Sequence, residues 1–175
     1  MRTLTKTISL LLVLVFLAGC DISQPPADLT PEEAEAIRTE IVELKDKIDN
    51  FEGEEGSLPV SEIVALARDY EELGEYKKAV KLYEDTMATG KKARAVIHNL
   101  GRLYEKLEQY DKAIEQYQIM VDELFNSDYL YDITWAYIKS GDRKNAEKYF
   151  NQWQLETNST DVQTQQAIKE MREAE

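Results

Sequence analysis

The sequence predicts an all-α protein: about three stacked helical hairpins, with an amphipathic helix before them and a polar helix after them. Three observations carry this. A set of small and aromatic residues recurs between Leu66 and Phe150 at offsets of 34 and then 33 positions. Ile37, Ile41, Leu44 and Ile48 fall on one helical face ahead of the repeat. Capping signatures open both flanking helices, at Thr30 and at Thr160.

In chain order, Arg2 and Lys6 form a short basic segment. An apolar run from Ile8 to Ala18 follows, broken only by Ser9. A spanning helix needs about 20 apolar residues, so residues 1–19 read as a secretory signal segment. The run ends Leu17-Ala18-Gly19-Cys20, which resembles the lipobox of bacterial lipoproteins. That resemblance implies cleavage after Gly19, a diacylglyceryl group on the Cys20 sulfur and an acyl chain on the new amine. The protein would then be held to a membrane by lipid, since each buried methylene contributes about 0.8 kcal/mol and two chains anchor firmly. Asp21 resembles the inner-membrane retention signal of enteric-type bacteria. The expected location is the cell envelope, facing the periplasm or the exterior.

The formal charge is -13, from 21 Lys and Arg against 34 Asp and Glu. Loss of residues 1–19 removes Arg2 and Lys6 and takes it to -15. Such a surface repels nucleic acid and anionic lipid, so nucleic acid is not an expected partner. Cys20 is the single cysteine, which excludes an intramolecular disulfide.

Residues 20–29, with Pro25-Pro26, read as a tether. Thr30-Pro31-Glu32-Glu33 opens a helix over residues 30–50: Thr30 caps, Pro31 suits the first turn and Glu33 closes a capping box. Its apolar stripe either lies on the helical stack or pairs with another helix. Residues 51–59 hold two glycines and read as a linker.

The repeat occupies residues 60–156. Leu66-Ala67, Tyr70, Gly74, Tyr76, Ala79 and Tyr83 recur as Leu100-Gly101, Tyr104, Glu108, Tyr110, Ala113 and Tyr117. They recur again as Ile133-Thr134, Tyr137, Gly141, Arg143, Ala146 and Phe150. This pattern resembles the tetratricopeptide repeat, with units at 60–93, 94–126 and 127–156. Glu108, Thr134 and Arg143 depart from it. The resemblance implies a right-handed superhelical stack of helical hairpins. Gly74 and Gly141 would end helices in the left-handed conformation, and Ala67 and Gly101 would let paired helices approach closely. Residues 160–175 follow as a capping helix, with Thr160 at its start and Val162, Ala167, Ile168 and Met171 available for packing.

Little in the chain points to catalysis. His98 is the only histidine and the seven glycines are scattered, so no phosphate loop or histidine-based relay is visible. Neither an enzyme activity nor a cofactor is expected, apart from the covalent lipid on Cys20. No metal ligand set is expected either. Asn158-Ser159-Thr160 matches a glycosylation sequon, but in a bacterial lipoprotein it reads as accidental.

In the resembled family the first helix of each hairpin lines a concave groove. Carried onto this chain, the groove positions are Val64, Arg68 and Glu71; then His98, Asn99, Arg102 and Glu105; then Tyr131, Trp135, Ile138 and Lys139. One family variant clamps a terminal carboxylate. Only Asn99 and Arg102 match it, so that clamp is not expected. The groove reads as basic at one end and aromatic at the other, suited to a peptide with an apolar anchor and an acidic flank. Against this stands a structural reading, in which Trp135 packs on the final helix and Arg68 and Arg102 pair with Glu71 and Glu105. The expected function is a membrane-anchored adaptor or envelope assembly factor that binds a protein or peptide partner. Two alternatives are a structural lipoprotein self-associating through the Ile37–Ile48 stripe, and a glycan-binding module using Tyr131 and Trp135.

Overall fold

The computed structural model describes residues 29–53 and 57–173. The signal segment and Cys20 lie outside the described residues, as does the tether up to residue 28. Those described form helices and connections alone, with no strand. The helices are α1 (Pro31–Asp49), α2 (Val60–Glu72), α3 (Tyr76–Ala88), α4 (Arg94–Lys106), α5 (Tyr110–Asp122), α6 (Tyr129–Ser140), α7 (Arg143–Thr157) and α8 (Val162–Glu173).

Helix α1 starts as its sequence dictates. The Thr30 N–H donates to Glu33 Oε2 at 2.8 Å and the Glu33 N–H donates to Thr30 Oγ1 at 3.2 Å, a reciprocal capping box. Ala34, Ile41 and Leu44 are buried, and Ile37 and Ile48 pack on the same core. The stripe is laid on α2, so α1 takes the first of the two courses that its sequence leaves open. Leu29 also packs on this core.

Helices α2 and α3, α4 and α5, and α6 and α7 pair as hairpins, and each hairpin leans on the next. The turns inside the hairpins repeat one geometry. Gly74, Glu108 and Gly141 have φ of 73°, 58° and 83°. In each, the next residue's N–H returns to a tyrosine carbonyl on the first helix: Glu75 to Tyr70 at 2.7 Å, Gln109 to Tyr104 at 2.8 Å, Asp142 to Tyr137 at 2.9 Å. This is the bond that closes a helix through a left-handed residue. Glu108 therefore adopts the backbone of the glycine it replaces.

The core runs along the hairpin interfaces. Ala67, Ala79, Ala113 and Ala146 are fully buried, as is Thr134. The Thr134 hydroxyl is satisfied by the Leu130 carbonyl at 2.8 Å. Tyr104 crosses to the preceding hairpin and donates to Glu84 at 2.5 Å. Tyr137 stacks on Tyr149 with ring centroids 5.4 Å apart.

At the C-terminal end two sequence expectations are corrected. The cap of α8 is Asp161, not Thr160. Asp161 Oδ2 accepts from the Thr164 N–H at 2.7 Å and from the Thr164 hydroxyl. A carboxylate one residue nearer the helix takes over the role offered to the threonine. Val162 is 77% exposed; Ile168 turns inward as expected, and Thr164 is buried as well. Helix α8 packs on α7 and α6, with Ile168 against Ala146 and Phe150.

Candidate functional site

The first helices of the hairpins stand side by side, joined by polar bridges from one unit to the next. Lys106 Nζ on α4 reaches Glu71 on α2 at 3.8 Å, and Lys139 Nζ on α6 reaches Glu105 on α4 at 2.7 Å. The two bridges are near-equivalent by repeat. Tyr129 on α6 also hydrogen-bonds His98 Nδ1 on α4 at 3.1 Å, with the rings edge to face. These contacts tie Glu71, His98, Glu105 and Lys139, four of the expected groove positions, across α2, α4 and α6.

The alternative pairing of Arg68 and Arg102 with Glu71 and Glu105 does not form. Arg68 meets Glu72 at 3.8 Å, one turn along its own helix. Arg102 donates to Asn99 Oδ1 at 3.3 Å, and no carboxylate among the described residues lies within ion-pair distance of it. Asn99 in turn donates to the Ala95 carbonyl at 2.8 Å, which fixes its amide with the oxygen toward Arg102. The reason is geometric. Glu71 and Glu105 point along the stack, where a lysine of the following hairpin claims each one.

Arg102 is solvent-exposed and sets the local electrostatics. His98 is held below its ordinary pKa by burial and by the Arg102 charge, which favours its neutral form. Asp132, which sequence reasoning does not single out, lies beside this wall. Burial pushes its carboxyl up to about 6, reinforced by Glu105 and Asp128 and opposed by Lys139. Its signal in the sequence is weak, since it looks like any first-turn acid on a helix.

The aromatic end is tied to α8. Tyr131 lies 4.8 Å, centroid to centroid, from Trp153 and meets Trp135 edge to face at 6.5 Å. Its hydroxyl sits 3.2 Å from both Asp161 Oδ2 and Thr164 Oγ1. Ile138 packs toward the Ala146, Phe150 and Ile168 cluster. Trp135 stays half-buried. At the other end Val64 packs on the main core. A hollow of about 430 Å³ there is walled by Leu29, Glu33, Arg68, Glu71, Tyr76 and Lys106. The Lys106 ammonium also stands 4.4 Å from the centre of the Tyr76 ring.

No group of His, Cys, Asp and Glu among the described residues is arranged to hold a metal ion. No described helix is long and apolar enough to cross a membrane.

Helical hairpins stacked in register, with first helices forming one wall, define a superhelical repeat scaffold. The comparisons identify the repeat: residues 63–95, 95–118 and 127–152 match models of the tetratricopeptide repeat. Solved structures agree on the fold. A tetratricopeptide repeat protein from Parabacteroides merdae superposes with a TM-score of 0.57 at 18% identity, over 80% of this chain and 61% of that one. Nearly identical TPR-like repeats of a kinesin light chain from Podosopora anserina give 0.59 at 18% identity, over 82% and 79%. A single-substitution form of those repeats gives 0.60 at 19% identity, over the same shares. No curated protein matches the sequence. Over these residues the chain is similar to tetratricopeptide repeats, and the solved structures show the same fold of stacked helical hairpins.

Proposed function

We propose that this chain is a lipid-anchored adaptor of the bacterial envelope, and that the wall formed by α2, α4 and α6 receives a partner peptide. The observation that carries the reading is Arg102. It is an exposed guanidinium in an acidic chain, with an amide oxygen beside it and no carboxylate in reach among the described residues. A guanidinium forks onto carboxylates, so an acidic side chain of the partner is its natural complement. Glu71 and Glu105 are already paired to lysines, which reduces their repulsion of such a ligand. Trp135, half-buried one hairpin further on, supplies an aromatic platform for an apolar residue.

The glycan reading is less well supported, because the Tyr131 ring lies against Trp153 and its hydroxyl is held at the α8 cap. Self-association through the α1 stripe would first require α1 to leave α2.

The test is crosslinked capture from the native host, comparing the unaltered chain with an Arg102→Glu, Trp135→Ala double variant. Loss of the partner in the variant supports the groove, and equal recovery sinks it. The anchor is tested separately. Cys20→Ser should move the protein from the membrane to the soluble fraction and abolish lipid labelling. An unchanged membrane fraction contradicts the lipoprotein reading.

A further inference from the structure

Helix α2 carries a buried carboxylate with one oxygen left unpartnered. Asp69 on α2 is 3% exposed, and its Oδ2 meets no hydrogen-bond donor among the described residues. Buried side-chain oxygens are nearly always satisfied, and an ionised one left alone costs more than a neutral one. Its neighbours make ionisation harder. The charges of Glu40 on α1 and Glu72 on its own helix both oppose its ionisation, and that of Arg68 favours it. Arg68 is itself drawn to Glu72 at 3.8 Å, and its side chain is 66% exposed. Lys45 of α1 and Lys78 of α3 stand over the neighbouring Tyr70 ring, 5.7 and 5.5 Å from its centre, and neither forms an ion pair with Asp69.

The same contact is otherwise well made. Ala34, Ile41 and Leu44 of α1 share one buried cluster with Ile63, Leu66 and Tyr70 of α2. An apolar contact that holds a helix in place thus encloses one group whose charge opposes it.

We propose that α1 is a pH-sensitive cap, docked on α2 while Asp69 carries a proton and loosened when Asp69 ionises. In the docked state the carboxyl is pushed up to about 6 by burial, then by Glu40 and Glu72. Freed from α1, it returns toward the ordinary value near 4. Docking is thus strongest below about pH 4, weakens as pH rises from there to about 6, and is constant above. A change of two pH units in this window alters the docking equilibrium by up to about a hundredfold. Release bares the apolar face of α2 at the end of the stack.

The experiment is amide hydrogen exchange on the full chain between pH 4 and 7.5, corrected for the intrinsic rate. Amides of Ile41 and Leu44 report α1, and those of Tyr117 and Met120 report the stack. The expected result is an α1 opening constant that rises up to about a hundredfold to a plateau near pH 6.5, without a matching rise in α5. Asp69→Asn should make α1 opening independent of pH in this range. Glu40→Lys places a cation opposite Asp69 and should keep α1 closed to higher pH. An α1 opening constant flat with pH overturns the proposal. So does one that tracks α5, or one that responds to pH equally in Asp69→Asn.

Discussion

The Tyr117 ring occupies the space where a side chain on Gly101 would begin: a β-carbon there would stand 2.5 Å from Tyr117 Cε1. Helices α4 and α5 approach this closely because position 101 is glycine. Gly101→Ala gains helix propensity of about 1 kcal/mol. It also forces a buried ring aside, and overpacking of this kind costs about 1–3 kcal/mol. The expected outcome is a net loss of stability in urea unfolding, restored by Tyr117→Leu in the same chain. Unchanged or increased stability of Gly101→Ala would contradict this packing.

Glu108 sits in the left-handed region at φ 58°, at the place held by Gly74 and Gly141 in the flanking units. A residue with a β-carbon there costs about 1–2 kcal/mol, and glycine's extra chain entropy returns about half of that. Glu108→Gly should stabilise the protein by up to about 1 kcal/mol. Gly141→Ala should destabilise it. Both are read from urea midpoints at unchanged slope.

In the proposed groove Asp132 would add a pH dependence of its own. Its carboxyl is raised to about 6 in the folded chain, so it is largely neutral at pH 5 and largely charged at pH 7. A peptide acid with an ordinary pKa near 4 stays charged over that range. Affinity for an acidic peptide at Arg102 should therefore fall as pH rises from 5 to 7. Asp132→Asn should remove most of that fall, as measured by titration of the captured peptide at both pH values.

Tyr131 ties the last helix to the stack through Asp161 and Thr164. Removing its hydroxyl leaves the ring in place but breaks these bonds, at a cost of about 1 kcal/mol. Tyr131→Phe should speed amide exchange in α8 while leaving α4 and α5 unchanged, since end units open separately from the rest.

The hairpins are legible in the sequence because their signals are local and repeated. Gly74, Ala79 and Tyr83 mark turn, close contact and filler, and the same types return one unit later at most of these places. The start of α1 is legible for a similar reason, because a capping box needs only Thr30 and Glu33. Charge pairing is not. Glu71 has Arg68 one turn away and Lys106 in the next unit, and only the stacking of α4 on α2 selects the lysine. Asp69 gives only a faint signal: the repeat sets it level with the buried Leu103 and Ala136, but Arg68 beside it makes it read as part of a solvated face. The cap at Asp161 is ambiguous in the sequence because Thr160 and Asp161 both offer an oxygen to the same turn.

The central claim is that partner binding uses the wall of first helices. Amide exchange of the full chain, with and without the captured partner peptide, tests it most directly. Added protection concentrated on α4 and α6, around Arg102 and Trp135, is the predicted result. Protection confined to α3, α5 and α7, with that wall unchanged, would contradict it.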